Sequence, residues 1–484
     1  MSLANIDHFV YLMLENRSFD HMLGYLSLPD TPNSIALDGL TNDPAWANYD
    51  SDGNRYRPKR LDGNASIQDP PHGLNWVPHQ IDTPAEVKQG PRRMGGFVHT
   101  YLKSREAKKK TLPKDPGAVM HYYDHKAVWA YHSLAQNYCV CDRWFTPLPT
   151  GTQPNRLMAM AGYSKIRRNK RFPLDKHDLV YKWLDRLGDD KWAVYMSHGI
   201  LPFFALMPDW WDEILDSKVG SGSFRHLDRL REDWAPGGTV PPVVFVEPAY
   251  SEFRGDRAND DHAPVRITGG QALVADLYDV LTSNPQRWAR TLLIITYDEH
   301  GGFADHAEPL RIRQEFDGKP PFTNSGPRVP ALLVSPYVRP RQVFSESLDH
   351  TAFLSLLAEK FTPGKPYSPQ VEKRQQSFEG TFGRLANALA ATPRTETPPA
   401  IPRPLGLMVR DGVKSLTGFT PPGLNPADRP PDSKTPTTSA FHDAALRTAE
   451  KRPELLADPE WKGLATAAAK PEPVVEDDEF IPDA

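Results

Sequence analysis

The segment from residue 296 to residue 306 brings several potential metal ligands together in a short stretch. Asp298, Glu299 and His300 are consecutive, and two glycines follow them. Neighbouring buried carboxylates need a cation or hydrogen-bond donors, because an unpaired buried charge costs a large amount of free energy. The glycines allow a sharp turn or a close approach to a ligand. The segment therefore predicts a metal site, and the alternative is a polar loop that caps a strand.

Two earlier segments offer side chains of a compatible kind. Glu15 and Asn16 supply a carboxylate and an amide, and Thr152 supplies a hydroxyl two residues before Pro154. A proline suits the first turn of a helix, which puts Thr152 at or beside the helix N-cap. Oxygen ligands suit a hard or borderline divalent cation. A threonine hydroxyl near such a cation can lose its proton and attack phosphorus, and simple N-capping is the alternative role.

Apolar, β-branched runs precede both carboxylate segments. Residues 288–295 lead towards Asp298, and residues 9–14 lead into Glu15. Runs of this kind are typical of fully buried strands. In an open α/β sheet, ligands collect at the carboxyl ends of the strands. Both segments are therefore expected at one edge of one sheet.

Strand and helix patterns alternate along the chain. Further strands are predicted at residues 192–196, 243–246 and 329–334, and a helix is predicted at residues 271–281. This alternation predicts an α/β fold in which a mostly parallel central sheet is covered by helices on both faces, a three-layer sandwich.

The composition limits the classes of partner. The 484 residues are 39% hydrophobic and 24% charged, with a formal net charge of −4. Because no basic excess is present, nucleic acid is not an expected partner. No apolar run approaches the ~20 residues that a membrane span needs, and the first residues lack a signal-peptide pattern. A cytoplasmic protein without a transmembrane segment is expected, with export left open if a signal was removed.

The domain organisation is predicted to change near residue 392. Residues 1–392 are expected to form one catalytic domain, in which residues 30–117 lack periodicity and are interpreted as a long loop that shapes the site. Residues 393–484 are rich in proline and end in an acidic run. They are predicted to be an extension with one helix and an acidic tail.

Five motifs resemble, in order, those of the phosphoesterase family, which contains the non-specific phospholipases C and a branch of bacterial acid phosphatases. The motifs lie at residues 15–21, 150–156, 260–264, 298–306 and 326–331. The resemblance runs from residue 6 to about residue 360 and leaves the proline-rich extension outside. It implies the alkaline-phosphatase-like α/β/α fold.

The resemblance also implies a metal site and a nucleophile. The nucleophile matches Thr152 better than Thr150, because Thr152 stands just before the Gln-Pro-Asn-Arg segment. One divalent ion is implied, and the sequence leaves its identity open among Ca²⁺, Mg²⁺, Mn²⁺ and Zn²⁺. The four residues that match its ligands are Glu15, Asn16, Asp298 and Glu299.

Further catalytic residues follow from the same resemblance. Asp261 and His262 are expected near the transferred phosphoryl group, with His262 as proton donor to the leaving oxygen. The histidine of the family's early loop matches His72, with His79 as a close competitor. His350 is a further candidate, although a local helix-capping pattern explains its surroundings almost as well.

These residues predict a metal-dependent phosphoester hydrolase. The leading hypothesis is phospholipase C-type cleavage of a phosphodiester through a phosphothreonine intermediate. The alternatives are an acid phosphatase that uses the same site and, less favoured, a non-catalytic binding protein. The substrate is expected to be a phosphoester and could be a phospholipid. Residues 203–211 could then line acyl chains or touch a membrane surface transiently, although core packing is the favoured interpretation.

Overall fold

The computed structural model describes residues 2–41, 43–61, 65–170, 191–197, 203–207, 222–250, 258–404 and 450. Most of the predicted extension, including its helix and acidic tail, lies outside the described residues. The strands are β1 (His8–Leu14), β2 (Asn48–Tyr49), β3 (Arg55–Tyr56), β4 (Cys139–Cys141), β5 (Trp144–Phe145), β6 (Trp192–Met196), β7 (Phe224–His226), β8 (Val243–Glu247), β9 (Thr291–Tyr297), β10 (Arg311–Phe316), β11 (Lys319–Asn324), β12 (Ala331–Val334), β13 (Gln342–Phe344) and β14 (Leu348–Asp349).

The α-helices of the described residues lie between these strands, except for the last two, which follow β14. They are α1 (Phe19–Met22), α2 (Val77–Ile81), α3 (Phe97–Ala107), α4 (Trp129–Asn137), α5 (Thr152–Ala161), α6 (Asp228–Trp234), α7 (Thr268–Thr282), α8 (Pro285–Trp288), α9 (Thr351–Phe361) and α10 (Pro369–Gln376).

The central sheet has the strand order β13-β4-β12-β9-β1-β8-β6-β7. Strands β9, β1, β8, β6 and β7 pair in parallel, whereas β12 is antiparallel to both β9 and β4. The mostly parallel sheet predicted from the sequence is therefore confirmed. In the register of β1 and β9, Leu14 pairs with Tyr297, so Glu15 and Asp298 leave the sheet side by side.

Aromatic contacts show that helices cover both faces of the sheet. On one face, Tyr11 of β1 stacks on Phe353 of α9, with ring centroids 4.5 Å apart. On the other face, the Tyr131 hydroxyl of α4 donates to the Tyr297 hydroxyl of β9 at 2.9 Å. Helix α9 packs on α5 and α10, while α7 packs on α4, α6 and α8. The α/β/α sandwich is thus built as predicted.

The insert at residues 30–117 is not the long irregular loop that the sequence predicted. It contains β2, β3, α2 and α3, and it contributes to a second apolar cluster that includes Trp46, Val77 and Phe97. The buried face of α3 also carries the polar residues His99 and Thr100. Because polar side chains interrupt the apolar stripe, the periodicity of this helix is hidden in the sequence.

The apolar segment at residues 203–211, which could have touched a membrane, lies partly in the core of the structure. Phe203, Leu206 and Met207 are each about 1% exposed and pack in the main core. The rest of the predicted apolar wall, residues 208–211, lies outside the described residues. Within the described ranges, no helix has both the length and the apolar character needed to cross a bilayer.

Candidate active site

Two adjacent strands deliver the predicted metal ligands to the carboxyl edge of the sheet. Glu15 and Asn16 follow β1, and Asp298 and Glu299 follow β9; all four are buried. The Asn16 backbone N–H donates to Asp298 Oδ1 at 3.1 Å, and the Glu299 N–H donates to the same oxygen at 2.7 Å. One carboxylate oxygen therefore ties the two strand ends together.

Each of the two consecutive carboxylates keeps one oxygen without a hydrogen-bond partner. In the part of the chain that the structure describes, these buried atoms are Asp298 Oδ2 and Glu299 Oε1. Burial, together with the negative charges of Glu15 and Glu299, raises the pKa of Asp298 well above its usual range. The guanidinium of Arg156 stays at a distance, with Nε 3.9 Å from Asp298 Oδ2. Bare carboxylate oxygens beside the amide of Asn16 fit a hard divalent cation.

Two glycines make the turn after β9 possible. Gly301 and Gly302 have φ angles of +63° and +69°. A Cβ atom on Gly301 would collide with the backbone carbonyl of Asn16, and one on Gly302 would collide with that of Pro71. Only glycine allows this close approach at a positive φ. The turn is therefore pressed against β1 on one side and the insert on the other.

Thr152 faces Asn16 from the start of helix α5. Its Oγ1 lies 3.4 Å from Asn16 Oδ1, and the side chain is half-buried. Gly151 is the N-cap, so Thr152 is the first helical residue, beside the cap as predicted. The Asn155 amide donates to the carbonyls of Thr150 and Gly151 at 2.8 and 3.1 Å and holds this turn in shape. Thr150 itself is 1% exposed, which leaves Thr152 as the accessible hydroxyl.

The insert contributes His72 to the site. His72 Nδ1 donates to the Pro70 carbonyl at 2.8 Å, so Nε2 faces inwards, 3.4 Å from Asn16 Nδ2 and 3.9 Å from Glu299 Oε1. Burial opposes the charged imidazolium, but Glu299 and Asp69 raise the pKa of His72. His79 is exposed on α2. The structure thus places His72 in the site and leaves its competitor outside.

His262 lies between two carboxylates. Its Nδ1 is 3.4 Å from Glu15 Oε2, and its Nε2 is 3.5 Å from Asp69 Oδ1. Asp69 also lies 3.6 Å from His72 Nδ1. Burial opposes the ionised Asp69, but the two histidines lower the pKa of its carboxyl. Within the described residues, Asp69, His72 and His262 have ligand atoms close enough to share a cation, as do Glu15, Asp260 and His262.

The predicted catalytic residue Asp261 directs its side chain away from the site. Asp261 accepts from the Tyr297 hydroxyl at 2.6 Å and from the Gly270 N–H at 3.1 Å, and burial raises the pKa of Asp261 to about 7. In this structure the carboxylate faces the core and supports the site, and its place beside the phosphoryl group stays a prediction.

His350 is occupied at both ring nitrogens. The Trp144 indole can only donate, so the 2.9 Å bond makes His350 Nδ1 an acceptor. Nε2 therefore carries the proton and donates to the backbone carbonyl of Asp298 at 2.7 Å. Burial lowers the pKa of His350 to about 4. The ring therefore supports the turn at Asp298 through both of its nitrogens, and its catalytic role stays a prediction.

Two arginines in the motifs form structural ion pairs or hydrogen bonds. Arg156 is fully buried, with Nε 3.1 Å from Glu15 Oε1 and Nη1 3.8 Å from Glu247 Oε2. Arg17 donates to the carbonyls of Asp261 and Val265 at 2.8 and 3.1 Å. Neither guanidinium is available for a substrate phosphate.

Sequence reasoning missed three acidic residues around the site. Asp69 orients both histidines, Asp260 accepts from the His262 N–H at 3.2 Å, and Glu247 pairs with Arg156. Glu247 ends β8, so the rule that ligands follow strand ends would have found it. Asp260 stands in the motif at residues 260–264, and Asp69 stands three residues before His72, so both adjoin residues that the resemblance had singled out.

Comparison with known proteins agrees with the geometry of the site. The model described as Phosphoesterase family matches residues 6–362. The chain belongs to this family. It is a hydrolase that acts on phosphoric esters, and the motif resemblance is confirmed.

Named relatives include plant and bacterial proteins. Non-specific phospholipase C6 of Arabidopsis thaliana is 28% identical over 423 residues, which cover 81% of this chain and 74% of the relative. Phospholipase C A of Mycobacterium tuberculosis is 27% identical over 449 residues, covering 83% and 81%. A solved protein in the alkaline phosphatase superfamily from Vibrio parahaemolyticus covers 48% of this chain and 60% of its own, with 10% identity and a TM-score of 0.28.

Proposed function

We propose that this phosphoesterase cleaves phosphodiesters in the manner of a phospholipase C, through a phosphothreonine at Thr152. One observation carries the proposal: the accessible Thr152 hydroxyl lies 3.4 Å from Asn16 Oδ1. Asn16 is in turn bonded to Asp298, whose second oxygen is bare among the described residues. A nucleophile beside a set of buried oxygen ligands is the arrangement that metal-assisted phosphoryl transfer needs.

The residues at this edge of the sheet fit one divalent cation. Asn16, Asp298 and Glu299 would hold it, and Glu15 would add negative charge from its position beside Arg156. When bound, the ion supplies positive charge that lowers the pKa of the Thr152 hydroxyl and stabilises charge on the phosphoryl oxygens.

The chain's own residues then account for the two displacement steps at phosphorus. Thr152, having released its proton to water, forms a bond to phosphorus as the bond to the leaving alcohol oxygen breaks. His262 donates a proton to that oxygen, and Glu15 and Asp69 on either side hold its ring in place. In the second step, water attacks phosphorus and gives a proton to His262, while the bond between Thr152 and phosphorus breaks.

The test compares two chromogenic esters, with the bound metal measured on the same sample. We expect faster turnover of p-nitrophenylphosphorylcholine than of p-nitrophenyl phosphate. Thr152→Ala should lower turnover by about 10³-fold or more, because the nucleophile is lost. Thr150→Ala is the matched control, since this buried hydroxyl lies two residues away. Acid quenching followed by peptide mass spectrometry should find phosphate on Thr152.

Three outcomes would contradict parts of the proposal. Preference for the monoester would assign the protein to the phosphatases. A Thr152→Ala protein as fast as the wild type would remove Thr152 as the nucleophile. A loaded metal site without turnover of either ester would favour a binding protein.

The names of the relatives support a phospholipid as the natural diester. Release of diacylglycerol from phosphatidylcholine vesicles tests this substrate directly. Turnover of the soluble diester without any release from vesicles would restrict the activity to soluble phosphodiesters.

A further inference from the structure

Gln80 joins the turn that carries Glu299 to the loop that carries His72. Its side chain is fully buried on helix α2. Gln80 Nε2 donates to the Pro71 carbonyl at 2.7 Å, and Oε1 lies 2.8 Å from His300 Nε2. The carbonyl of Pro71 can only accept, so the amide nitrogen must face it and the amide oxygen must face His300.

The two hydrogen-bond partners of the Gln80 side chain each adjoin a residue of the site. His300 Nδ1 lies 3.2 Å from Glu299 Oε2. At the other end, Pro71 precedes His72, whose Nε2 lies 3.9 Å from Glu299 Oε1. These contacts link Glu299 through His300, Gln80 and Pro71 to His72. The two made by the Gln80 side chain are hydrogen bonds, whereas the two at Glu299 are close approaches without one.

The surroundings of Gln80 give its amide little freedom to move. Its backbone N–H is bonded to the Trp76 carbonyl at 3.1 Å, and its backbone carbonyl accepts from the Gly96 N–H at 3.3 Å. The side chain thus starts from an anchored helix. Gly302 packs so closely on Pro71 that a Cβ atom would not fit between them. The amide therefore spans the distance between the Pro71 carbonyl and His300, and it starts from a fixed backbone.

We propose that Gln80 is a positioning residue that sets the distance between the Glu299 carboxylate and the His72 imidazole. The inference rests on the proposed function, in which Glu299 holds the cation, and on the position of His72 beside Glu299. A glutamate at residue 80 would turn an oxygen towards the Pro71 carbonyl, and a leucine would remove both hydrogen bonds. Residues that orient metal ligands in this way change metal affinity or activity by about 10- to 100-fold.

The experiment compares Gln80→Leu and Gln80→Glu with the control His79→Gln, an exposed neighbour on the same helix. Mn²⁺ affinity is measured by calorimetry on chelator-treated protein, kcat and KM on p-nitrophenylphosphorylcholine, and folding by thermal unfolding. We expect both Gln80 variants to fold, to bind Mn²⁺ about 10-fold more weakly, and to lose about 10- to 100-fold in kcat. His79→Gln should match the wild type in all three measurements.

The outcomes separate this inference from the proposed function. Folded Gln80 variants with wild-type Mn²⁺ affinity and wild-type kcat, even with a lower melting temperature, would overturn the positioning role. A wild type that binds Mn²⁺ but leaves the diester intact would contradict the proposed function, while the Mn²⁺ affinities would still decide the role of Gln80. A wild type that binds no Mn²⁺ would overturn both.

Discussion

The segment at residues 298–306 contributes residues to two acidic clusters, whose carboxylates have different partners. Near its start, Asp298 and Glu299 each keep a buried oxygen that has no partner among the described residues. Near its end, Asp305 accepts from Arg328 Nε at 2.8 Å, and Arg328 also lies 3.2 Å from Asp20 Oδ1. We refer to the first as the open cluster and to the second as the closed cluster.

The closed cluster has the residue types of a metal site but contains its own cations. Asp20, Asp305 and His306 have ligand atoms within 4.8 Å of one another. His306 lies 2.7 Å from Asp20 and 3.1 Å from Asp38, and the fully buried Arg328 completes the set. The comparison shows that acidic and histidine side chains alone do not define a cation site. The buried Arg328 comes within 2.8 Å of Asp305 in the closed cluster, whereas the buried Arg156 pairs with Glu15 and stays 3.9 Å from Asp298 in the open one.

The largest effect is expected from opening the closed cluster. Arg328→Met would leave Asp20 and Asp305 buried without a counter-ion, so the free energy of unfolding should fall by about 3–5 kcal/mol. Urea denaturation with a chelator present measures the change. Arg384→Met is the control, because its 2.9 Å pair with Glu359 lies at the surface and should contribute less than about 1 kcal/mol. Equal, small losses in the two variants would show that the closed cluster does not depend on its arginine.

For the open cluster we expect a substitution to weaken metal binding without lowering stability. Glu299→Gln removes a bare buried charge, while the new amide can still accept from the Gly301 N–H. Mn²⁺ affinity should fall by about 100-fold, roughly 2.7 kcal/mol, whereas stability in chelator should stay level or rise. Calorimetry and urea denaturation measure the two quantities, with the exposed Glu308→Gln as control. A loss of stability without a change in Mn²⁺ affinity would make the open cluster structural as well.

The pH dependence of stability provides a third comparison. Burial opposes the charged His306, but Asp20 and Asp38 raise its pKa from 6.5 to about 10. Because the pKa of His306 is higher in the folded state, the protonated ring stabilises the fold fully below pH 6.5. This stabilisation is lost as the pH rises towards 10. Over that interval the wild type should lose up to about 5 kcal/mol more unfolding free energy than His306→Gln. Parallel pH curves for the two proteins would exclude this linkage.

The smallest effect is expected at Asp261, which lies next to the open cluster but faces the core. Asp261→Asn keeps an oxygen for the Gly270 N–H and a polar partner for the Tyr297 hydroxyl. Turnover of the diester should therefore fall by less than about 10-fold, whereas His262→Gln should cost about 10²-fold or more. Equal losses in the two variants would restore the direct catalytic role that the motif predicted for Asp261.

Much of the fold and of the open cluster could be predicted from local patterns. Buried runs before Glu15 and Asp298 indicated strands, and the structure joins these strands in parallel with their acidic ends side by side. Thr152 was predicted at a helix start, and it begins α5. The insert was predicted poorly, because α2 is only five residues long and the buried face of α3 is partly polar.

Side-chain direction is the part that the sequence left open. His72 was preferred with His79 as a close competitor, and in the structure the Pro70 carbonyl orients the first while the outer face of α2 exposes the second. Asp261 and His262 are adjacent, yet a positive φ of 73° at Asp261 accompanies the turn of its carboxylate towards Tyr297. Motif matching identifies neighbours of this kind and does not separate their directions.

Short apolar runs were enough to predict the two central strands and, with them, the positions of Glu15 and Asp298 at the carboxyl edge of the sheet. Which buried carboxylates pair with a guanidinium depends on the tertiary structure. Arg156 reaches Glu15 across 141 residues of sequence, and Arg328 reaches Asp20 across 308. Pairings over such separations depend on the packed sheet and helices, because the electrostatic partner of a buried charge is set by distance in space.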